Sequence, residues 1–314
     1  MNHTIQSKRQ ATQKDEARMR QEELMLQGRM EDIDHKLLVL SGKGGVGKST
    51  VAANLAASLA QAGKTVGLLD VDVHGPSIPK LMGLEGRPVQ VAEEELIPVK
   101  LSDRLAVMSI GFLLSGGNAP VIWRGPRKYH LIRQFLKDVR WGHLDYLVVD
   151  SPPGTGDEPL AVAQMVGSSA SAVIVTTPQD VAIADVRRCV FFCRSLSLPI
   201  VGIVENMSGF ECPKCGALID LFKRGGGMAL ALETEVPFLG RIPIDIEAVT
   251  AGDAGMPLVR LAPQSPAAKA FSEMVEAIRA GDVEQGSLSE PHSQEVGIAE
   301  STNTREALAA RPGG

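Results

Sequence analysis

From residue 35 onward, short runs of unbroken apolar residues alternate with segments whose apolar positions recur at helical spacing. Leu37 to Leu40, Thr65 to Leu69, Leu144 to Asp150, Ala172 to Thr176, Ile200 to Glu205 and Phe238 to Ile242 predict strands. Segments 52–62, 127–139, 181–196, 228–233 and 266–280 predict helices between and after them. Leu96 to Val99 and Leu105 to Ile110 predict two further short strands able to pair as a hairpin. A strand that is apolar at every position has both faces covered, because alternation is expected only where one face meets water. Repeated units of this kind build a parallel sheet with helices on each side. The expected fold class is therefore α/β, a doubly wound, mainly parallel sheet over residues 35–280.

The two ends break the pattern. Residues 1–34 are dense in alternating charges, with Met19, Leu26, Met30 and Ile33 at loosely helical spacing. A solvated, partly helical leader is expected there. Residues 281–314 are rich in Glu, Ser, Gly and Ala and carry six acidic residues against two arginines. So little apolar periodicity predicts a disordered tail. A membrane-anchoring end would be a basic amphipathic helix, and this segment is acidic.

Composition narrows the function. With 44% hydrophobic and 22% charged residues, the chain reads as one globular domain of about 250 residues with extensions. A net charge of −5 speaks against a broad nucleic-acid surface, and 4% aromatic residues weaken base stacking further. Four cysteines are too few for a disulfide framework, which points to a reducing compartment. No apolar run reaches the roughly 18 residues of a membrane span. Asp15, Glu16, Glu22 and Glu23 do not suit a transit peptide. A cytoplasmic location, with neither nucleic acid nor membrane as partner, is the expectation.

Immediately after the first strand, Gly42 to Ser49 fit the spacing G-x-x-x-x-G-K-[ST]. Successive backbone N–H groups can converge on phosphate oxygens only where glycine frees the dihedrals and leaves no side chain in the way. Gly42, Lys43, Gly44, Gly45, Val46, Gly47, Lys48, Ser49 and Thr50 are thus the candidate phosphate cradle. Lys48 reaches toward the β/γ-phosphates and the Ser49 hydroxyl toward Mg²⁺. The helix that follows adds its N-terminal dipole to the same anion site. ATP and Mg²⁺ are the expected ligands.

Other groups needed for phosphoryl chemistry should stand at the carboxyl ends of the strands. Asp150 closes the strand LDYLVVD, a position from which a carboxylate reaches Mg²⁺ through water. The next stretch, Ser151 to Asp157, is stiff at its prolines and permissive at its glycines, as a switch loop should be. Asp70 and Asp72 close another strand, and Asp70 is the candidate for a structural or outer-sphere role. His74 reads as a surface or capping residue.

Cys212-Pro213-Lys214-Cys215 is a lone C-x-x-C in a loop. Taken alone it fits a redox pair, half of a zinc site or half of an iron–sulfur site. Cys189 and Cys193 do not supply a missing pair. With Val186, Val190 and Leu196 they form the apolar stripe of a helix, so they read as core.

The two-lysine form of the phosphate loop, with Lys43 beside the first glycine, resembles the deviant Walker A of MinD, ParA, the nitrogenase iron protein and the Mrp/ApbC proteins. KGGVGKST, DVDVHGPS, Trp123-Arg124-Gly125-Pro126, DSPPGTGD, VENMS, CPKC and VPFLGRIP follow in the order found in the Mrp/ApbC iron–sulfur cluster carrier ATPases. The resemblance covers roughly 35–280. It implies a P-loop NTPase fold and a homodimer in which Lys43 contacts the partner's nucleotide. It implies that Asp72 orients the attacking water and that Asn206 reads the adenine edge. It also implies a [4Fe–4S] cluster held by Cys212 and Cys215 of two subunits, with cluster donors and apo iron–sulfur proteins as partners. The chain lacks the longer leading domain of many bacterial relatives and any cysteine before Cys189, which excludes a second, N-terminal cluster. Two rival functions remain: a positioning or partitioning ATPase, and a nucleotide-regulated protein with a zinc-bridged dimer.

Overall fold

The computed structural model describes residues 17, 19–73, 75–93, 95–113, 125–167 and 169–288. His74, Trp123 and Arg124 lie outside the described residues, as does 289–314. Helix α1 (19–31) leads into β1 (Ile33–Ser41), and the phosphate loop then opens α2 (Lys48–Gln61). Next come β2 (Val66–Asp70), a short α3 (Ile78–Leu81), β3 (Gln90–Ala92), β4 (Glu95–Ile97), β5 (Val99–Ser102) and β6 (Leu105–Ser109). Three strand–helix units follow: α4 (Gly125–Asp138) into β7 (Leu144–Asp150), α5 (Asp157–Val166) into β8 (Ala170–Thr176), and α6 (Asp180–Ser195) into β9 (Ile200–Glu211). The chain continues through β10 (Leu218–Ile219), α7 (Gly226–Glu233), β11 (Phe238–Ile244), α8 (Ile246–Asp253), α9 (Leu258–Leu261) and α10 (Pro266–Leu288).

The sheet order is β10-β9-β8-β1-β7-β2-β6-β5, with β11 also paired to β9. All pairings are parallel except β5 with β6 and β10 with β9. This is the doubly wound sheet expected from the apolar runs. Leu37 to Leu40 in β1 and Leu147 to Val149 in β7 are at most 1% exposed, as central strands covered on both faces must be. Helices α2, α9 and α10 pack together on one face, and α4 to α7 occupy the other. Crossovers of one hand produce that division, because the chain runs in one direction along the sheet from β1 to β2 and back the other way from β6 to β9.

Four boundaries differ from the sequence pattern. Leu26 and Met30 are buried against the core, so α1 belongs to the packed body, and β1 already begins at Ile33. The opposite side of α1 is solvated and carries exposed Met19, Leu24 and Met25 among its charges. The final helix does not stop at Ala280 but runs on through Leu288. Within this extension Asp282 accepts a hydrogen bond from the Tyr146 hydroxyl. Strand β9 extends to Glu211 because it gains backbone partners in β10 and β11. Tertiary pairing there overrides a local sequence, Asn206 to Gly209, that reads as a turn. Leu96 to Val99 is divided between β4 and β5, and the hairpin forms between β5 and β6, with β3 and β4 making a second one. Among the described residues, no helix is long and apolar enough to cross a membrane.

Candidate functional site

The loop between β1 and α2 has the dihedrals its glycines allow. Gly45 and Gly47 sit at φ 81° and 82°, a left-handed region costly for other residues. Gly42 answers a different need: a Cβ there would lie 2.3 Å from the backbone of Asp185 in α6. Gly47 caps α2 without any side-chain partner, and Val51 N–H bonds its carbonyl at 2.9 Å. The remaining N–H groups of the first turn are therefore left to an anion. Lys43 is half-buried at the loop, and Ser41 Oγ donates to its carbonyl at 3.0 Å.

Lys48 is buried, with its Nζ 2.5 Å from Asp150 Oδ1, 3.9 Å from Asp72 Oδ2 and 3.5 Å from Ser49 Oγ. The strands explain this convergence, because β1, β7 and β2 are neighbours and Asp70 pairs with Asp150 in register. Asp150 is fully buried, and burial raises its pKa against the opposing pull of Lys48. Its Oδ2 has no hydrogen-bond partner. A buried carboxylate oxygen left in that state, beside the Ser49 hydroxyl, fits a hydrated Mg²⁺.

Asp70 works differently. It accepts from Ser109 Oγ at 2.8 Å, from Asp72 N–H at 3.1 Å and from Ile78 N–H at 3.4 Å. Its pKa is pushed up to about 8, first by burial and then by the Asp150 charge. The carboxyl group thus ties the backbone at Asp72 and Ile78 and the Ser109 hydroxyl to the end of β2.

Asn206 lies inside β9, with its Nδ2 donating to the Val46 carbonyl at 2.9 Å. It borders a cleft of about 440 Å³ together with Gly47, Thr50, Met207, Lys80 and Phe271. This largely apolar cleft opens directly beside the phosphate loop.

Cys212 and Cys215 stand at the tip of the hairpin formed by β9 and β10, where Glu211 pairs with Leu218. Cys212 N–H bonds Ala217 O, and Gly216 N–H bonds Cys212 O, closing a tight knuckle. N–H groups of Lys214 and Cys215, then the Cys215 thiol, hold the Cys212 pKa below the usual thiol value. Donors aimed at sulfur favour the thiolate, the form that binds metals. Cys189 and Cys193 are fully buried in α6, as the apolar stripe predicts. A hydrogen bond with Cys193 and burial together push the Cys189 thiol well up.

The sequence pattern gave no hint of Glu205, Ser208 or the salt bridge from Glu205 to Arg241. Their one visible signal was an acid at the end of an otherwise apolar strand.

A phosphate loop followed by α2, an aspartate at the end of β7 and a parallel sheet of this order define a P-loop nucleotide-binding protein of the two-lysine class. A family model described as "NUBPL iron-transfer P-loop NTPase" (ParA) matches residues 32–279, and the chain belongs to that family. It is 49% identical over 258 residues to an iron-sulfur cluster carrier protein of Methanocaldococcus jannaschii, covering 82% of this chain and 88% of that one. It is 51% identical over 243 residues to a cytosolic Fe-S cluster assembly factor NUBP2 homolog of Trichoplax adhaerens, covering 76% and 92%. Among solved structures, a nucleotide-binding protein from Archaeoglobus fulgidus in complex with ADP matches at 43% identity and TM-score 0.67, over 75% of this chain and 92% of that one. The cell division protein MinD of Aquifex aeolicus matches at 25% identity and TM-score 0.57, over 78% and 97%.

Proposed function

We propose that this chain is an ATP-dependent carrier that binds a [4Fe–4S] cluster between two copies of itself and hands it to apo iron–sulfur proteins in the cytoplasm. One observation carries the reading. The phosphate loop follows the carboxyl end of β1, the C-x-x-C hairpin extends from the same edge on β9, and Asn206 bonds one to the other. The names of the relatives agree with that pairing of chemistries.

In this reading Lys48 exchanges Asp150 for the β/γ-phosphates. Ser49, with Asp150 acting through water, would hold Mg²⁺, whose charge would neutralise the phosphate oxygens. Asp72, close to Lys48, orients the attacking water, and Lys43 reaches the nucleotide of the second copy. Asn206 keeps its bond to Val46 while its other amide atoms face the adenine edge; a side-chain amide offers both a donor and an acceptor, as adenine does. Hydrolysis serves to gate the dimer.

The cluster is cargo. One chain presents two solvent-facing thiols, since the other two are buried, and four thiolates then need a two-fold axis. Exposed Leu218, Ile219, Leu221 and Phe222 beside the hairpin give the second copy an apolar surface to meet.

Anaerobic reconstitution with iron and sulfide tests this. The expected result is about four irons and four sulfides per pair of chains with a visible absorption band. Cys212→Ala and Cys215→Ala should each abolish it while ATP still binds. A colourless protein carrying zinc, or four irons per single chain, would sink the bridged cluster.

A further inference from the structure

Glu205 is completely buried one residue before Asn206, and the mechanism above makes no use of it. Hydrogen-bond donors from two elements converge on its carboxylate, and a guanidinium from a third pairs with it. Ser208 Oγ donates from its own strand, Gly225 N–H and Gly227 N–H from the start of α7, and Arg241 Nε from β11 lies 3.4 Å away. A buried charge this fully engaged fixes whatever its partners belong to.

What it fixes is a distortion in β9. Asn206 pairs with Ile242 and Phe210 with Ile244, so Met207, Ser208 and Gly209 stand opposite Pro243 alone. Met207 and Gly209 adopt φ 58° and 79° within that bulge. A left-handed methionine costs about 1 kcal/mol or more and persists only where its surroundings over-determine it. The bond from Ser208 to Glu205 closes over the bulge and supplies that constraint.

The two ends of the bulge lead to the two chemistries. Upstream, Asn206 holds the Val46 carbonyl, and the Met207 methyl lies within 3.6 Å of where a Gly47 Cβ would be. Downstream, Phe210 and Glu211 pair with β10 and carry Cys212. Arg241 lines a cavity of about 580 Å³ together with Cys212 and Lys214.

We infer that Glu205 is a positioning residue: by clamping the 207–209 bulge through Ser208, it transmits the state of the phosphate loop to the Cys212–Cys215 thiols. The inference rests on the proposed function in holding that nucleotide and thiols belong to one cycle. Its test needs no cluster.

Iodoacetamide alkylation of Cys212 and Cys215 is timed in the cluster-free full chain, with and without Mg-ATP, and resolved by peptide mass. In the wild type the rates should differ by roughly 5-fold or more, the lower end for coupled sites. Glu205→Gln keeps the shape and removes the charge; Ser208→Ala removes the clamp and leaves the α7 contacts. Both should bind ATP as before while the ratio of rates falls toward one. Wild-type rates indifferent to ATP overturn the inference. So does loss of ATP affinity together with the ratio, which marks a merely structural role. A Ser208→Ala chain with the wild-type ratio also overturns it, whatever Glu205→Gln does, because any loss there is then a loss of the α7 cap. Should Glu205→Gln fail to fold, Ser208→Ala decides alone. Absence of a cluster after reconstitution would instead strike the proposed function and leave the thiol ratio standing.

Discussion

Lys48 and Asp150, 102 residues apart in sequence, form a buried ion pair with Nζ 2.5 Å from Oδ1. The phosphate-loop lysine therefore serves the fold as well as the ligand. Removing one partner of such a pair leaves an uncompensated buried charge, at a cost of about 3–5 kcal/mol. Lys48→Ala should lose Mg-ATP binding and also unfold at lower denaturant. The double variant Lys48→Ala/Asp150→Asn should regain most of the stability and none of the binding. Equilibrium denaturation beside an ATP titration separates the two effects. A single variant as stable as wild type would show that the pair contributes nothing.

Asp72 and Asp150 both face Lys48 but should fail differently. On the proposed roles, Asp72→Asn keeps the shape and removes the charge assigned to placing water, so ATP should bind while turnover drops by roughly 10²- to 10⁴-fold. Asp150→Asn should raise the Mg²⁺ concentration needed for half-maximal activity. Identical Mg²⁺ titrations of the two variants would mean that the roles are wrongly divided.

Two glycines of the phosphate loop offer a steric contrast. At Gly42 a Cβ meets the Asp185 backbone, which cannot swing aside as a side-chain tip can. At Gly44 a Cβ meets nothing within 4 Å. Gly42→Ala should cost about 1–3 kcal/mol, as overpacking does, whereas Gly44→Ala should leave the melting temperature unchanged. Calorimetry on the pair gives the answer, and equal melting temperatures would refute the close approach to α6.

Lys36 supplies a pH prediction. It is only 3% exposed, and burial lowers its pKa from 10.5 despite Asp34 and Glu31 nearby. Below the lowered folded value both states carry the proton, and the cost of burying the charge is constant. Between that value and 10.5 the unfolded chain binds more protons than the folded one, so stability rises with pH. Lys36→Met should therefore be more stable than wild type at neutral pH, by an amount that shrinks as pH approaches 10.5. Melting curves from pH 7 upward test this; a gap that widens with pH would contradict it.

How much of this was readable beforehand depended on the range of the interactions. The strand Leu144–Asp150 appears with the expected bounds because an apolar run ending in a charge is a local pattern. The phosphate loop was equally legible, since its glycines answer to local backbone demands. The pairing of Lys48 with Asp150 was not, because sheet order, rather than chain order, makes the two neighbours. The extension of β9 to Glu211 was hidden for a related reason. Asn206 to Gly209 spells a turn, and only pairing with β11 keeps it in the sheet as a bulge. Glu205 carries no local signal of its contacts because its partners, Gly225, Gly227 and Arg241, come from later elements.

The burial of Leu26 and Met30 bears on how this protein can be cut. The family model matches 32–279, yet α1 lies before that limit and Asp282 beyond it. A fragment trimmed to the matched span would uncover the pocket these two side chains fill and take the acceptor from the Tyr146 hydroxyl. Each large apolar side chain removed from a core costs about 2–5 kcal/mol, a sizeable part of a domain's whole margin. The packed body of this chain thus reaches beyond the span that the family model matches, at both ends.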